Sequence, residues 1–580
     1  MIDLTIKIGG EAGFGIMTTG LLLGKIATRS GYHAFEYPEY PSLIRGGHNV
    51  IEIRISDEKV YSQEKKVDIL VCLNKDTYLL HKNEVKEGGI VILDESKVDI
   101  TKEKISDKNI TYINLPLAQI IQEAKLSNVM INNIALGAIV HVAGADFKIL
   151  EDLITQIFAK KGQEVIDKNV QAAKLGLDHL AQAYAAGYQI KIPRKTEITP
   201  RMYVSGNEMI GLAAIAAGCK FYCAYPMTPS SALLHFMAGK AEKHGLVVKH
   251  AEDEIAVINM AVGASWAGAR SMVGTSGGGF ALMVEGVSLA GITETPIVII
   301  MGQRPGPATG MPTWTEQGDL LFIIHAGHGE FPKIVLAPGD AEEAYRLTRE
   351  AFNFADIYQT PVFIMGDKYI QEGHQSVDEF TITNIQIPGN RGKLLTQDQL
   401  ISAAGKYQRY ALSPDGISPR ALPGMKNSLH QSNSYEHRED GHTTEEAGER
   451  VDQVNKRNKK LDTFLENHAK LPVIYGSKEA PLTLISWGSM KAPILQAMKD
   501  SNYLFNYLHF SYIWPLPKDQ LTELLMTFKS TLLVENNSQA QLGQLITMVT
   551  GYQIKNKLLK YSGRPIYPEE ILEKVKTLQV

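Results

Sequence analysis

Four times between residues 204 and 313 a short apolar run gives way to a decorated loop and then to a helical pattern. The runs are Phe221–Ala224, Leu246–Lys249, Ser271–Thr275 and Pro296–Met301. Their loops are Tyr225-Pro226-Met227-Thr228-Pro229-Ser230-Ser231, Glu252-Asp253-Glu254, Ser276-Gly277-Gly278-Gly279, and the proline-rich stretch from Gln303 to Thr313. Strands alternating with helices build an α/β fold around a parallel sheet. In such a sheet the loops that follow the strands collect along the carboxyl edge, where ligands bind.

The same alternation stands on either side. Ile2–Ile8 reads as a strand running into a loop, Gly9-Gly10-Glu11-Ala12-Gly13-Phe14-Gly15, and then a helical pattern that Gly31 can end. Val50–Ile55, Ile69–Leu73 and Ile90–Leu93 are further strand candidates, and a long helical pattern covers about Glu164 to Ala186. Pro193 and Pro200 mark a linker. Between about 405 and 470 apolar residues thin out, and Met425–Lys460 reads as a long polar connection with one exposed helix near Thr444–Leu461. Strand and helix patterns return from about 480. The expected division is 1–190, 191–400, a polar connecting segment 401–475, and 476–580.

Composition excludes several classes. Hydrophobic residues at 44% and charged residues at 21% are ordinary for a soluble globular chain. A net charge of −4 offers no basic field for nucleic acid. No apolar run approaches the roughly 18 residues that span a bilayer, and the N-terminus alternates like a strand, unlike a signal peptide. Cys72, Cys219 and Cys223 are too few for a disulfide framework, which fits the cytoplasm. They are also one short of the four thiolates of an iron–sulfur cluster.

Each candidate site residue has two readings. Gly9, Gly10, Gly13 and Gly15 either cradle a phosphate with backbone N–H groups or make a tight strand-to-helix turn. Arg45 either adds a cation to that edge or lies in a loop. Thr228 followed by Pro229 looks like an N-cap with proline at the first helical position, and Pro226 and Pro229 together fix the hydroxyl. Glu254 begins a helix of mostly small and apolar residues. It is either a helix-dipole acid, as Glu252 and Asp253 are, or a desolvated carboxyl of raised pKa. Arg304 stands in a loop stiffened by Pro305, Pro307 and Pro312; it is a surface arginine or a bidentate carboxylate clamp. His430, His437 and His442 lack a zinc-like spacing and read as a solvated linker.

Taken together, these loops resemble the alpha subunit of 2-oxoacid:ferredoxin oxidoreductases in the form carrying a fused N-terminal gamma-type domain. Tyr225-Pro226-Met227-Thr228-Pro229-Ser230-Ser231 is similar to that family's signature, with Met227 in place of Ile. Glu252-Asp253-Glu254-Ile255-Ala256, Gly306-Pro307-Ala308-Thr309-Gly310-Met311-Pro312-Thr313 and Glu316-Gln317-Gly318-Asp319-Leu320 match in order. Ser418-Pro419-Arg420, Glu436-His437 and Gly563-Arg564-Pro565-Ile566 follow, and the N-terminal glycine loop resembles the gamma domain with Glu11 where Gln is expected.

The resemblance implies three α/β parts: a gamma-type domain, a domain binding the pyrimidine of thiamine diphosphate, and a transketolase-C-like domain. It implies an enzyme that decarboxylates a 2-oxoacid, 2-oxoglutarate favoured, passes electrons to ferredoxin and hands the acyl group to coenzyme A. A beta subunit would carry the Mg²⁺–diphosphate half-site and a [4Fe–4S] cluster. The chain agrees by omission, having no Gly-Asp-Gly followed by Asn-Asn. Glu254 would then hydrogen-bond the pyrimidine, Arg304 hold the substrate carboxylate, and Thr228 and Thr313 orient substrate, with Tyr225 and Pro226 lining the cofactor site. Gly9, Gly10, Gly13, Gly15 and Arg45 would contact coenzyme A or close over the site. The alternative is a scaffold subunit that keeps the fold and completes no thiamine site.

Overall fold

In the computed structural model, residues 2–43, 46–98, 109–403 and 407–578 are described. Three sheets organise them. The middle one carries the loops singled out above. Its seven strands run in the order Tyr512–Trp514, Ile334–Leu336, Pro361–Asp367, Ile297–Gln303, Ser271–Thr275, Phe221–Ala224, Val247–His250. All neighbours are parallel except Tyr512–Trp514, which pairs antiparallel with Ile334–Leu336. Ser271–Thr275 and Ile297–Gln303 are buried along their whole length, as strands covered by helices on both faces must be.

The first sheet has eight strands, ordered Thr111–Asn114, Val85–Leu93, Val67–Cys72, Asp3–Ala12, Gly46–Ser56, His33–Glu39, His374–Asp378, Arg201–Ser205. Its last two strands lie beyond residue 190 in sequence, so this sheet is not confined to the first 190 residues. They cover what would otherwise be the open edge of His33–Glu39. Arg201 Nη1 donates to the Gly31 carbonyl at 3.0 Å and the Tyr203 hydroxyl donates to Glu36 at 3.0 Å across this seam. Strand Asp3–Ala12 is also longer than the glycine pattern implies. Gly9 and Gly10 pair with Val50 and Asn49 inside it, and the loop proper is only Gly13–Gly15.

The third sheet orders Val473–Tyr475, Phe505–Phe510, Leu482–Trp487, Thr531–Glu535 and Asn556–Leu559. Its inner face shares one core with the middle unit: Phe280, Met301 and Phe363 pack in the same cluster as Ile485, Trp487, Leu508 and Leu542.

The segment expected to be a solvated connection is instead packed. Helix Ala447–Asn467 buries Gln453, Lys456, Arg457 and Lys460. Lys456 and Lys460, one turn apart, each bring an ammonium to 2.6 Å from a different oxygen of Glu294, which is fully buried. Arg409 Nη2 donates to the Glu294 carbonyl at 2.8 Å. His437 is buried as well, its ring 3.9 Å from that of Tyr410. Polar composition misleads here because paired charges can be buried when each has its counter-ion. Among the described residues no helix is long and apolar enough to cross a membrane.

Candidate active site

Glu254 is the first residue of helix Glu254–Trp266. The cap is Asp253, whose carboxylate accepts the Ala256 N–H at 2.7 Å, so Asp253 does the helix-end work and Glu254 is left for something else. Its side chain turns inward: the residue is 4% exposed, and Oε1 is buried without a hydrogen-bond partner. Space for that oxygen exists because residue 279 is glycine; a Cβ there would lie 2.4 Å from Glu254 Oε1 and 2.4 Å from Thr275 Oγ1. Burial raises the Glu254 pKa, and the Asp253 charge adds to the rise. A buried carboxyl oxygen without a partner is a polar atom the protein's own fold does not satisfy, and its raised pKa favours the protonated form more than in a solvated glutamate.

Glu254 thus abuts the glycine-rich start of helix Gly277–Ile292. Ser276, at its N-cap, also keeps a buried hydroxyl without a partner. On the neighbouring strand end, the Ser230 hydroxyl donates to the Met227 carbonyl at 2.8 Å and closes a turn before helix Ser231–His244. Thr228 is therefore not the N-cap expected from sequence. It precedes a cis Thr228–Pro229 peptide and is half-buried. Tyr225 stays exposed at the rim, edge-on to His250 at 6.1 Å, with Pro226 beside it.

Arg304 follows strand Ile297–Gln303 and donates from Nη1 to the Thr228 carbonyl at 2.8 Å, tying the two motif loops together. Burial lowers its pKa, partly offset by the Asp319 charge. The loop beyond it folds on itself through Met311 N–H to the Pro305 carbonyl at 3.0 Å. Gly310, at φ 55°, leaves no room there for a side chain. Thr313 does not point at Arg304 or Thr228 as its donor partner: its hydroxyl donates to the Tyr40 carbonyl at 2.6 Å and fastens the loop to the first unit. Arg564 stacks on Trp314 with its guanidinium carbon 3.2 Å from the ring centre, fastening the loop to the third.

The N-terminal glycines gather elsewhere, toward the carboxyl end of Asp3–Ala12, an interior strand of the first sheet. Gly9 lies against Thr77 and His48, and Gly15, at φ 71°, lies against Asn132 and opens helix Ile16–Arg29. That helix start has no side-chain cap and no acidic residue. Gly13 is open, at φ 98°. Arg45 lies outside the described residues. Two positions of consequence were not singled out from sequence: Gly279, whose lack of a side chain admits Glu254, and Asp319, whose carboxyl is pushed up to about 7 by burial and by Glu316, against Arg304. Asp319 sat in a recognised motif without a role because nothing local says which way an acid before an apolar helix turns.

All three cysteines are buried, and burial raises the pKa of each thiol. Among the described residues no three His, Cys, Asp or Glu side chains are grouped to hold a metal ion.

The parallel sheet thus carries a buried, unpaired glutamate at its carboxyl edge beside a glycine-rich helix start, in the place where open α/β sheets bind ligands. Residues 212–456 match the family described as pyruvate flavodoxin/ferredoxin oxidoreductase, thiamine diphosphate-binding. Residues 5–179 match pyruvate ferredoxin/flavodoxin oxidoreductase. The chain is 31% identical to a 2-oxoacid:ferredoxin oxidoreductase alpha subunit from Sulfolobus, over 98% of this chain and 96% of that one. It is 28% identical to the 2-oxoglutarate oxidoreductase subunit KorA of Mycobacterium tuberculosis, over 98% and 90%. Its fold superposes on the 2-oxoglutarate:ferredoxin oxidoreductase of Magnetococcus marinus with a TM-score of 0.90 at 30% identity, covering 100% of this chain and 99% of that one. That structure was solved with 2-oxoglutarate, coenzyme A and succinyl-CoA bound. The chain belongs to the family of 2-oxoacid:ferredoxin oxidoreductase alpha subunits.

Proposed function

We propose that this chain carries the pyrimidine half of a thiamine diphosphate site in an enzyme that oxidatively decarboxylates a 2-oxoacid, 2-oxoglutarate favoured, to acyl-CoA and carbon dioxide, with electrons passing to ferredoxin. The observation that carries the reading is the buried, unpartnered Oε1 of Glu254 beside Gly279. Such an atom fits a ring nitrogen, and a scaffold subunit would have no use for it. Thiamine diphosphate, when bound, supplies the acidic ring carbon at which a 2-oxoacid loses carbon dioxide. Glu254 holds a proton on Oε1 toward the pyrimidine nitrogen. Arg304 binds the substrate carboxylate with the guanidinium N–H groups not spent on Thr228, and Thr228 orients the substrate through its hydroxyl. Tyr225 and Pro226 line the rim, and Thr313 keeps the Arg304 loop closed against Tyr40.

The site needs a second chain. Helices Glu254–Trp266 and Gly277–Ile292 are mostly apolar, and Ile255, Met260, Trp266 and Leu282 stand exposed on them beside Asn259 and Glu285. Large apolar side chains exposed together on neighbouring helices suit a partner surface. A beta subunit supplying Mg²⁺, the diphosphate half-site and a [4Fe–4S] cluster fits that face. The uncapped N-terminus of helix Ile16–Arg29, with Gly13 and Gly15 and with Gly9 and Gly10 just before them, is the candidate contact for coenzyme A phosphates, and Arg45, which lies outside the described residues, is a further candidate.

Co-expression with a beta-type chain bearing Gly-Asp-Gly and a cluster's cysteines tests this reading. The complex should reduce ferredoxin with a 2-oxoacid and coenzyme A, with kcat/KM higher for 2-oxoglutarate than for pyruvate or branched 2-oxoacids. No turnover with any 2-oxoacid in a complex that binds thiamine diphosphate would overturn it; a preference for pyruvate would overturn only the substrate.

A further inference from the structure

Tyr40, just beyond strand His33–Glu39, is tied at both ends. Its carbonyl accepts the Thr313 hydroxyl at 2.6 Å, and its own hydroxyl donates to Glu372 Oε2 at 2.7 Å. Glu372 closes the short helix Lys368–Glu372, which follows strand Pro361–Asp367 of the middle sheet. Lys368 is fully buried at the same place. Its ammonium donates to the Pro38 carbonyl, lies 4.7 and 4.8 Å from the ring centres of Tyr37 and Tyr40, and stands 3.9 Å from Glu372 Oε2. Residues 37–40 are thus fixed from the middle sheet. From Thr313 the path back to Arg304 is short. Trp314 N–H donates to the Met311 carbonyl at 3.2 Å and Met311 N–H to the Pro305 carbonyl at 3.0 Å, so the loop is one folded piece. Arg304 itself donates to the Thr228 carbonyl at 2.8 Å and, among the described residues, has no carboxylate within 4.0 Å.

We propose that Tyr40 and Glu372 are positioning residues for the substrate's carboxylate: Glu372 holds Tyr40, the Tyr40 carbonyl holds Thr313, and Thr313 holds the loop that aims Arg304. This deepens the assignment of Arg304 to the substrate carboxylate and rests on it. An arginine paired with a carboxylate of its own chain is aimed by that carboxylate. Arg304 has none, so the place of its guanidinium depends on the Thr228 carbonyl and on the loop that carries it. Fork-like contact to a carboxylate is directional, and a displacement of about 1 Å can cost about 10²-fold. Tyr40 suits the task because its ring is rigid, with Lys368 against it and Glu372 at its hydroxyl. Burial raises the Glu372 pKa, and the Lys368 charge and the Tyr40 hydroxyl oppose the rise. The neighbouring residues back the loop's second anchor. Arg564 stacks on Trp314 and comes to 3.6 Å from Glu39 Oε2, so the same strand end supports both.

Tyr40→Phe removes one hydroxyl and leaves both the ring beside Lys368 and the carbonyl that receives Thr313. In the complex assembled with its beta subunit, it should raise KM for 2-oxoglutarate about two- to tenfold, the worth of one hydrogen bond, while kcat changes less. Thr313→Val should act in the same direction, and Thr313→Ser, which keeps the donor, should restore the parent KM. The double variant Tyr40→Phe/Thr313→Val should be no worse than Thr313→Val alone, because both act through one contact. Added to Arg304→Ala, Tyr40→Phe should change KM no further, whereas a role confined to joining the units would weaken both backgrounds alike. A parent-like KM in either single variant, effects that multiply in the double variant, or a KM rise that persists beside Arg304→Ala would overturn the proposal while leaving Arg304 in place. Should Tyr40→Phe fail to assemble, Thr313→Val and Thr313→Ser, each with and without Arg304→Ala, decide the matter by the same criteria. If Arg304→Ala itself leaves KM unchanged, the carboxylate assignment fails, and the role of Tyr40 and Glu372 with it.

Discussion

Glu254 and Gly279 face each other across two adjoining helices, and the carboxyl oxygen of one occupies the position a side chain on the other would fill, 2.4 Å from a Cβ built there. This contact converts an ordinary first-turn acid into a buried one. The helix start does not need Glu254, because Asp253 caps it. The carboxyl is thus free of structural duty and held in a fixed place by glycine on one side and by its own burial.

Glu254→Gln should leave the fold and cofactor binding in place and slow ionisation at the reactive ring carbon of thiamine diphosphate. A glutamine cannot supply the proton, and positioned acid–base groups contribute about 10²–10⁴-fold. Hydrogen–deuterium exchange at that carbon in the assembled complex reads the step directly. Glu252→Gln and Asp253→Asn should exchange like the parent, since asparagine keeps the cap to the Ala256 N–H and each change alters only helix-end electrostatics, by about 0.3–1 kcal/mol.

Gly279→Ala should separate activity from stability. The added methyl meets Glu254 Oε1 and Thr275 Oγ1, and a carboxyl at the end of a flexible side chain can swing aside. Alanine also improves the helix by about 1 kcal/mol. The variant should melt within a few degrees of the parent, yet lose activity by an amount comparable with Glu254→Gln. Unchanged activity would show that the present Glu254 position does not matter.

Arg304→Ala should raise KM for the 2-oxoacid, since a lost charge-assisted hydrogen bond costs about 1.5–3 kcal/mol, or roughly ten- to a hundredfold. Arg304→Lys should rescue only part, because an ammonium cannot hold Thr228 and a carboxylate with one planar fork. Steady-state kinetics across several 2-oxoacids would show equal loss for all if the contact is to the carboxylate they share.

Glu294→Gln should destabilise the chain by about 3–5 kcal/mol, because two buried ammonium groups lose their counter-ion. Burial opposes ionisation of Glu294, but Lys456, Lys460 and Arg409 overcome it and hold its carboxyl well below the usual carboxylate range. A depressed folded-state pKa gives stabilisation that is full above the ordinary value of 4.5 and is lost as pH falls below it. Urea melts at neutral and acidic pH should therefore find the gap between parent and Glu294→Gln narrowing only on the acid side. A gap that is constant with pH would mean the loss comes from packing.

What the sequence determined by itself was local. Strand–loop–helix alternation made the α/β character of the three parts legible, because that pattern is written in neighbouring residues, and it placed Thr228, Glu254 and Arg304 on one sheet edge. It did not show that strands from beyond residue 190 complete the first sheet. Tertiary structure decided which groups have partners. Lys456 and Lys460 share a helix face that any reader would leave in water, yet Glu294, far earlier in the chain, makes that face an interior. Thr313 has a hydroxyl suited to a substrate, but it donates its hydrogen bond to the Tyr40 carbonyl. Asp319 is an unremarked acid until the third unit fixes Gln317 and turns the carboxyl toward Gly277. Burial of a charge depends on what the rest of the chain brings to it, and that information is spread over distant residues whose meeting only the folded chain reveals.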